Sequence, residues 1–157
     1  KEKFGMRFPS NKAKYFYCAI QRIHSEYGDD ASKIWANKPT SSKVVRNFLR
    51  FEGAGTKVAT MAANILVRSF KIELQDKHCI DISPDRQVMR VFSRLGLISK
   101  NPKIEELTYC ARGLHPEYPG IFDLPAWIIG TELCKPENPK CYKCYLNGFC
   151  QRAKTSH

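Results

Sequence analysis

Four cysteines lie within seventeen residues near the end of the sequence, in the stretch CKPENPKCYKCYLNGFC. Their spacing is C-x6-C-x2-C-x5-C, running through Cys134, Cys141, Cys144 and Cys150. Structural zinc sites usually pair two short Cys-x2-Cys knuckles, whereas this stretch has one knuckle and two unequal spacings. Four thiolates in one compact loop suit a [4Fe–4S] cluster, in which each cysteine binds a different iron. The spacing favours the cluster, with one zinc ion as the alternative and disulfides as a third possibility.

The chain has seven cysteines, and the other three stand alone in mostly apolar surroundings. We expect Cys18, Cys79 and Cys110 to be buried thiols of a reducing compartment. An odd total with one cluster argues against an extracellular disulfide scaffold. The predicted location is therefore intracellular, in the cytoplasm or nucleoid, or in the nucleus of a eukaryote.

A second candidate site is the glycine turn in FEGAGTKVA, between two predicted helices. Gly53 and Gly55 let the backbone approach a ligand, and the helix that begins near Thr56 points its first amides toward an anion. A DNA phosphate would fit this turn. The alternative is a tight connection between two helices that binds nothing.

Lys57 and Asp85 are the candidate catalytic residues. Lys57 lies in the first turn of a predicted helix, where the helix dipole disfavours a cation and so favours a neutral amine that can form a Schiff base. Asp85, in SPDRQVMRV, could stabilise a sugar cation or accept a proton. The alternatives are a solvated surface lysine and a helix-capping aspartate. Asp81 is the rival carboxylate.

Composition favours a globular protein with a polyanionic partner. The 157 residues are 43% hydrophobic and carry a formal net charge of +11. A cationic surface gains affinity for phosphates by releasing condensed counterions, which favours a nucleic acid as the partner. The alternatives are a soluble surface rich in lysine and another acidic partner. No apolar run approaches the length of a membrane span, so no membrane partner is predicted.

In the cysteine loop, we assign Lys135, Lys140 and Lys143 to DNA phosphates. We expect the interleaved rings of Tyr142, Tyr145 and Phe149 to shield the cluster.

The hydrophobic periodicity predicts an all-α fold, with helices over 11–27, 41–50, 56–70, 85–95, 103–113 and 119–133. Ser10 or Asn11 is the expected N-cap of the first helix, whose apolar stripe includes Phe16 and Ile20. Trp127 lies on an apolar helical stripe and is expected in the core.

These motifs together resemble the endonuclease III family of DNA glycosylases, in the helix-hairpin-helix (HhH-GPD) superfamily. FEGAGTKVA resembles the family's hairpin, L-P-G-V-G-x-K-T-A, and SPDRQVMRV resembles its V-D-T-H-hydrophobic-x-R-V element. FPSNKAKYFYCAIQRI is similar to the N-S-K-A helix that precedes the hairpin, and the cysteine spacing matches the family's cluster. The resemblance spans about residues 8 to 150, in the family's order.

The resemblance implies a base-excision DNA glycosylase with abasic-site lyase activity on damaged duplex DNA. Lys57 matches the lysine that attacks C1′ of the sugar, and Asp85 matches its supporting aspartate. Gly53 and Gly55 match the phosphate-binding glycines, and the cysteines match the ligands of a [4Fe–4S] cluster. The alternative function is a non-catalytic DNA-binding module containing iron–sulfur or zinc.

The resemblance also implies a division of the chain into two parts, and the sequence departs from the family pattern at several places. Residues 1–100 would form a partial glycosylase core, and residues 101–157 the C-terminal helices and cluster loop. The family has further helices before the one that begins near residue 11. The expected alternatives are that the chain is a fragment, that an N-terminal segment or a partner chain completes the helical barrel, or that this family member is reduced. Glu52 replaces the hairpin proline, and Arg86-Gln87 replace the Thr-His pair.

Overall fold

The computed structural model describes residues 9–154, which are helical with no β-strand in that range. The α-helices are α1 (Pro9–Tyr27), α2 (Ser41–Leu49), α3 (Thr56–Arg68), α4 (Arg86–Leu95), α5 (Ile104–Leu114), α6 (Asp123–Glu132) and α7 (Gln151–Lys154). Four 3-10 turns cover Ala31–Ile34, Pro119–Phe122, Cys141–Lys143 and Asn147–Phe149. The all-α prediction is confirmed. None of these helices has the length and apolar character needed to cross a membrane.

The first helix differs from its prediction at both its start and its apolar stripe. It already includes Ser10 and Asn11, so neither is its N-cap. A proline is favoured at a first helical position because its missing N–H needs no partner there. The predicted apolar stripe also included Ile23 and Tyr27. Phe16 is 71% exposed and Ile20 is 48% exposed, whereas Ile23 is partly buried and Tyr27 is buried, so only the first part of the stripe lies open to solvent. Phe8, where the family resemblance begins, lies outside the described residues.

One apolar cluster forms where α2 packs on α3. Its buried members are Val44, Ala63, Leu66, Val67, Leu74 and Ile80. Thr40 caps α2 by accepting a hydrogen bond from the Lys43 amide, and the chain turns back through a short connection into α3. This pairing places the start of α3, and with it Lys57, at one end of the α2–α3 hairpin.

A second apolar cluster forms where α4 and α6 pack together with α5. Its buried members are Ile82, Val88, Val91, Phe92, Ile98, Leu107, Ala111 and Ala126. Gly130 on α6 allows the close approach, because a Cβ there would lie 2.7 Å from the Gln87 Cβ on α4. Helix α4 ends at Gly96, whose φ of 85° is the left-handed conformation that glycine adopts readily. The predicted domain boundary at residue 100 stays a prediction.

Asn64 joins the two clusters. This α3 side chain is 1% exposed, and its Nδ2 donates to the Gly120 carbonyl oxygen at 2.7 Å. The Gly120 amide in turn donates to the Ile80 carbonyl oxygen at 2.7 Å. A Cβ on Gly120 would lie 2.7 Å from that same oxygen, so a larger residue could not make this contact. The entry to α6 is therefore fixed against α3.

The second cluster can be tested with Leu107→Ala. Leu107 is fully buried, so the substitution should lower the free energy of unfolding by about 2–5 kcal/mol through lost apolar contacts and the cavity left behind. Chemical denaturation measures the change. Leu114→Ala is the matched control on the same helix, because Leu114 is 50% exposed and should change stability by about 0.5 kcal/mol or less. Equal losses in the two variants would contradict this packing.

Candidate functional site

Lys57 and Asp85 form an ion pair. The Lys57 Nζ lies 2.6 Å from the Asp85 Oδ2, and the side chains are 44% and 25% exposed. The pair joins α3 to the start of α4, residues that are 28 positions apart in the sequence. The two predicted catalytic side chains are therefore in contact at a solvent-accessible position.

Asp85 also caps helix α4. Its Oδ1 accepts a hydrogen bond from the Gln87 amide at 2.9 Å, while its Oδ2 faces Lys57. Burial alone would raise the pKa of this carboxyl, but the hydrogen bonds from Lys57 and Gln87 and the charges of Lys57 and Arg90 outweigh it. The pKa of Asp85 is therefore lowered from 3.8. Capping and pairing are performed by different oxygens of one carboxylate, so the two sequence interpretations are compatible.

Asp81, the rival carboxylate, is engaged elsewhere. Its two oxygens accept hydrogen bonds from the Arg112 Nε at 2.8 Å and the Arg112 NH2 at 2.9 Å. This bidentate pair ties the segment before α4 to α5. Asp85 is thus the acid that faces the lysine.

The two glycines of the turn differ in the space that surrounds them. Gly53 has a φ of 81°, and a Cβ there would lie 2.4 Å from the Tyr15 ring, so both its backbone conformation and its packing require glycine. A Cβ on Gly55 would meet nothing within 4 Å. Gly55 is also the N-cap of α3 and makes no side-chain cap, and Thr56 follows it as an exposed first residue of the helix. Gly53, Gly55 and Thr56 are all exposed, and the space beside the backbone is open at Gly55.

Glu52, the acid in the turn, is neutralised by α1. Its Oε1 lies 3.0 Å from the Lys14 Nζ. Hydrogen bonds from Lys14 and from the Cys18 thiol lower the pKa of Glu52. The negative charge introduced beside the turn is consequently matched by a cation from the preceding helix.

The lysine–aspartate pair lies on a groove of about 360 Å³ between α3, α4 and α6. Its lining is Lys57, Met61, Ile65, Arg68, Ser83, Asp85, Asp123, Leu124 and Trp127. Trp127 was predicted in the core, but it is 47% exposed and forms part of the groove wall. The apolar stripe of α6 is thus shared between the core and the groove. The volume falls within the range of about 300–1,000 Å³ usual for small-molecule sites.

The four clustered cysteines line a single small pocket. Cys134, Cys141, Cys144 and Cys150 all contribute to it, together with Leu133 and Ala153. All seven cysteines lie among the described residues and are free thiols there, so the third sequence alternative, disulfides, is wrong. Within residues 9–154, no set of three or more Cys, His, Asp or Glu side chains is arranged to hold one metal ion. Thiols spread around one pocket suit a group with several metal atoms, each bound by one sulfur.

Two arginines of α4 hold the first cysteine of the loop. The Arg90 Nε donates to the Cys134 carbonyl oxygen at 2.7 Å. Arg94 donates to the carbonyl oxygens of Lys135 at 2.6 Å and Pro136 at 2.8 Å, and its NH1 lies 3.3 Å from the Cys134 Sγ. The helix capped by Asp85 therefore also organises the start of the cysteine loop.

The loop's basic and aromatic side chains lie on the surface. Lys135, Lys140 and Lys143 are all exposed. The rings of Tyr142, Tyr145 and Phe149 are 78%, 92% and 79% exposed, so the prediction that they shield the cysteines is wrong. The short 3-10 turns direct these rings outward. The lone cysteines 18, 79 and 110 are partly exposed rather than buried.

Four polar residues of these sites were not predicted from the sequence. Arg68, Ser83 and Asp123 line the groove, and Arg94 contacts the cysteine loop. Two signals could have indicated them: an acid inside the apolar segment GIFDLPAWII, and two arginines four residues apart on one face of α4.

Comparisons with known proteins agree on one relationship. No protein-family model matches the chain. Endonuclease III of Sulfolobus acidocaldarius is 29% identical over 111 residues, which cover 68% of this chain and 44% of that protein. A non-covalent endonuclease III–DNA complex and a trapped endonuclease III–DNA covalent intermediate have TM-scores of 0.66 and 0.64. Each is 20% identical, and the match covers 92% of this chain and 59% of the solved one.

The chain thus spans less than two thirds of the length of these proteins, and the fold match extends over nearly all of its own length. The sequence comparison shows similarity to an endonuclease III, and the structural comparison shows that the chain has the fold of solved endonuclease III structures.

Proposed function

We propose that this protein is a DNA glycosylase with associated abasic-site lyase activity, acting on damaged duplex DNA. The observation that carries the proposal is the contact of 2.6 Å between the Lys57 Nζ and the Asp85 Oδ2 on an open groove. An amine beside a carboxylate in a groove supplies both a nucleophile and a proton acceptor. The relatives named as endonuclease III, and as its DNA complexes, support the same reaction class.

Lys57 would act on the sugar. In the ion pair its amine carries a proton, so Nζ must first lose one, and Asp85 is the acceptor at hydrogen-bond distance. Nζ then bonds to C1′ while the bond from C1′ to the base breaks, and the base leaves with that electron pair and takes a proton. Opening of the sugar ring gives a Schiff base between Nζ and C1′.

The Schiff base makes strand cleavage possible. It acidifies the C2′ hydrogen, whose loss expels the 3′ phosphate by β-elimination. Water then hydrolyses the Schiff base, which returns the amine and releases an unsaturated aldehyde. Asp85 lies where it can return its proton during these steps.

The DNA backbone would lie against two positive surfaces. The first is the open turn at Gly55 and Thr56, whose amides begin α3 and suit a phosphate. The second is the exposed cysteine loop with Lys135, Lys140 and Lys143. Phosphate contacts of this kind position a protein on DNA without reading its sequence. The net charge of +11 favours such a partner.

The four cysteines lining one pocket would hold a [4Fe–4S] cluster. The donor set fits, since four unpaired thiols surround the pocket and Arg94 lies 3.3 Å from one sulfur. When bound, the cluster would supply rigidity to the loop. The residues of the chain then present the loop's lysines toward the duplex, while Arg90 and Arg94 fix the loop to α4.

Borohydride trapping with abasic duplex DNA tests the lyase step. The native protein should form a covalent adduct, and Lys57→Ala should reduce it by about 100-fold or more because the Schiff base needs this amine. Asp85→Asn should slow trapping by about 10²–10⁴-fold. Asparagine caps helices as well as aspartate does, so this variant keeps the cap and removes only the proton acceptor.

Lys43→Ala is the matched control for trapping. Lys43 is an exposed lysine in the first turn of α2, the other helix of the hairpin. The control should trap like the native protein. An undiminished adduct in Lys57→Ala would overturn the proposal. Salt-sensitive duplex binding with no adduct in the native protein would instead indicate the non-catalytic DNA-binding module.

Metal analysis tests the cofactor. The purified protein should be brown and carry about four iron and about four sulfide per chain. Cys141→Ser should lose most of this iron, whereas Cys110→Ser should retain it because Cys110 lies outside the cysteine pocket. A colourless protein with one zinc per chain would contradict the cluster.

Arg94→Gln tests whether the hydrogen bonds from this arginine hold the cysteine loop in place. The variant loses donors to three carbonyl oxygens, those of Cys134, Lys135 and Pro136, and a contact to the Cys134 sulfur. Amides in residues 134–150 should therefore exchange with deuterium about tenfold faster. Hydrogen-exchange mass spectrometry measures this rate. Arg86→Gln, an exposed arginine of the same helix, should leave it unchanged. Equal exchange in all three proteins would show that the arginine does not hold the loop.

A further inference from the structure

Three aromatic rings of the cysteine loop project into solvent, and the proposed lyase chemistry does not use them. Tyr142, Tyr145 and Phe149 lie within eight residues and are 78%, 92% and 79% exposed. Aromatic side chains supply a large apolar contact area when a partner covers them. Exposed apolar residues that are grouped in this way mark binding surfaces, whereas a single exposed ring needs no explanation.

Short turns order the backbone that carries these rings. The two 3-10 turns of the loop lie against each other. The Asn147 amide donates to the Cys144 carbonyl oxygen at 3.0 Å, which closes a turn around Tyr145. The Phe149 amide donates to the Leu146 carbonyl oxygen at 3.1 Å. Because an aromatic ring on an ordered backbone has only two side-chain torsions to fix, it loses little conformational entropy when it binds.

The faces of the rings are available to a planar ligand. Among the described residues, none of the three rings stacks on another aromatic ring. The Lys143 Nζ lies 5.6 Å from the centroid of the Tyr142 ring, so one cation already lies beside the aromatic surface. A ligand that is both planar and negatively charged would meet a ring and a cation together.

The charge of the loop favours a nucleic acid over a protein partner. Residues 134–150 contain three lysines, all exposed, and one acid, Glu137. Surfaces that bind single-stranded nucleic acid combine cations that follow the phosphates with aromatic rings that stack on the bases. The cores of protein–protein interfaces are instead depleted in lysine.

The same rings favour an unpaired strand over a duplex. Inside a duplex, the neighbouring base pairs cover both faces of each base, so a projecting ring has no face on which to stack. An unpaired strand exposes these faces, and every base has one, so the contact tolerates any sequence.

We propose that Tyr142, Tyr145 and Phe149 form a stacking surface that binds a single-stranded segment of nucleic acid, with the lysines of the loop on its phosphates. The ligand class is an unpaired strand of DNA or RNA, recognised through its base faces and its charge rather than its sequence. The surface lies outside the groove that holds Lys57 and Asp85, and it does not depend on the proposed glycosylase or lyase chemistry.

Fluorescence anisotropy of the purified protein tests this surface, with labelled probes of about 15 nucleotides. The probes are an oligothymidylate, an oligouridylate, a fully paired DNA duplex, and an oligomer of tetrahydrofuran abasic units, which keeps the phosphates and has no bases. The native protein should bind oligothymidylate at least about fivefold more tightly than the abasic oligomer. Equal affinities for these two probes would overturn the inference, because charge alone would then explain the binding. The tighter of oligothymidylate and oligouridylate identifies DNA or RNA as the source of the strand.

Tyr145→Leu and Phe149→Leu separate stacking from other roles of the rings. Leucine keeps an apolar side chain but cannot stack, so each variant should bind oligothymidylate about 5–100-fold more weakly. Binding of the duplex should stay within about twofold of native, because the lysines that contact phosphates are retained. Equal losses on the two probes would overturn the inference and indicate that the rings maintain the loop itself. Tyr145→Trp keeps a stacking ring and should bind like the native protein; a loss as large as that of Tyr145→Leu would also overturn it.

Tyr109→Leu is the matched control. Tyr109 lies on α5, is 67% exposed and has the Arg112 guanidinium 5.5 Å from its ring centroid, so it combines a ring and a cation outside the cysteine loop. The control should bind every probe like the native protein. Unchanged binding of oligothymidylate in both loop variants would overturn the inference and would instead indicate a surface for a protein partner. Borohydride trapping does not involve these rings, so its failure bears on the proposed function alone.

Discussion

The geometry of the site depends on one buried amide, Asn64. Its Nδ2 donates to the Gly120 carbonyl oxygen at 2.7 Å, which fixes the entry to α6 against α3. Asp123 follows at the start of α6, and its carboxylate accepts the Ser83 amide two residues before Asp85. Lys57 lies on the same helix as Asn64. The contact between Lys57 and Asp85 is thus held by a chain of polar contacts in a buried setting, where each unmet hydrogen bond would be costly.

Helix α4 couples the two candidate sites. At its first residues Asp85 caps the helix and faces the groove, and in its later turns Arg90 and Arg94 donate to the backbone of the cysteine loop. A rigid helix of ten residues transmits position between its ends, so an ordered loop and a correctly placed carboxylate support each other. The two arginines neutralise part of the negative charge that thiolates would bring to the loop. If the loop bound the proposed cluster, this arrangement would let it support the position of Asp85 without direct contact.

The sequence predicted the bounds of the helices better than the solvent exposure of their side chains. Helix bounds follow from local patterns: Gly96 ends α4 in a left-handed conformation, and the glycine turn separates α2 from α3. The pairing of Lys57 with Asp85 came only from family resemblance, since nothing local relates residues 28 positions apart. The main errors of the sequence prediction concerned which side chains are exposed to solvent. Trp127 and Phe16 lie on apolar stripes, but periodicity shows which face of a helix is apolar and not what covers that face.

An ion pair between Lys57 and Asp85 contains an ammonium group, and an ammonium group cannot attack carbon. In the proposed lyase reaction the pair would nonetheless be a suitable resting state, because the Asp85 Oδ2 lies 2.6 Å from the Nζ that would have to lose a proton. Entry of DNA would exclude water from the groove. Without that water, the free energy needed to keep two opposite charges there would rise. Transfer of the proton within the pair removes both charges at once. The same desolvation that a bound substrate imposes would therefore convert the stored ammonium into the nucleophile, with Asp85 left as the acid for later steps.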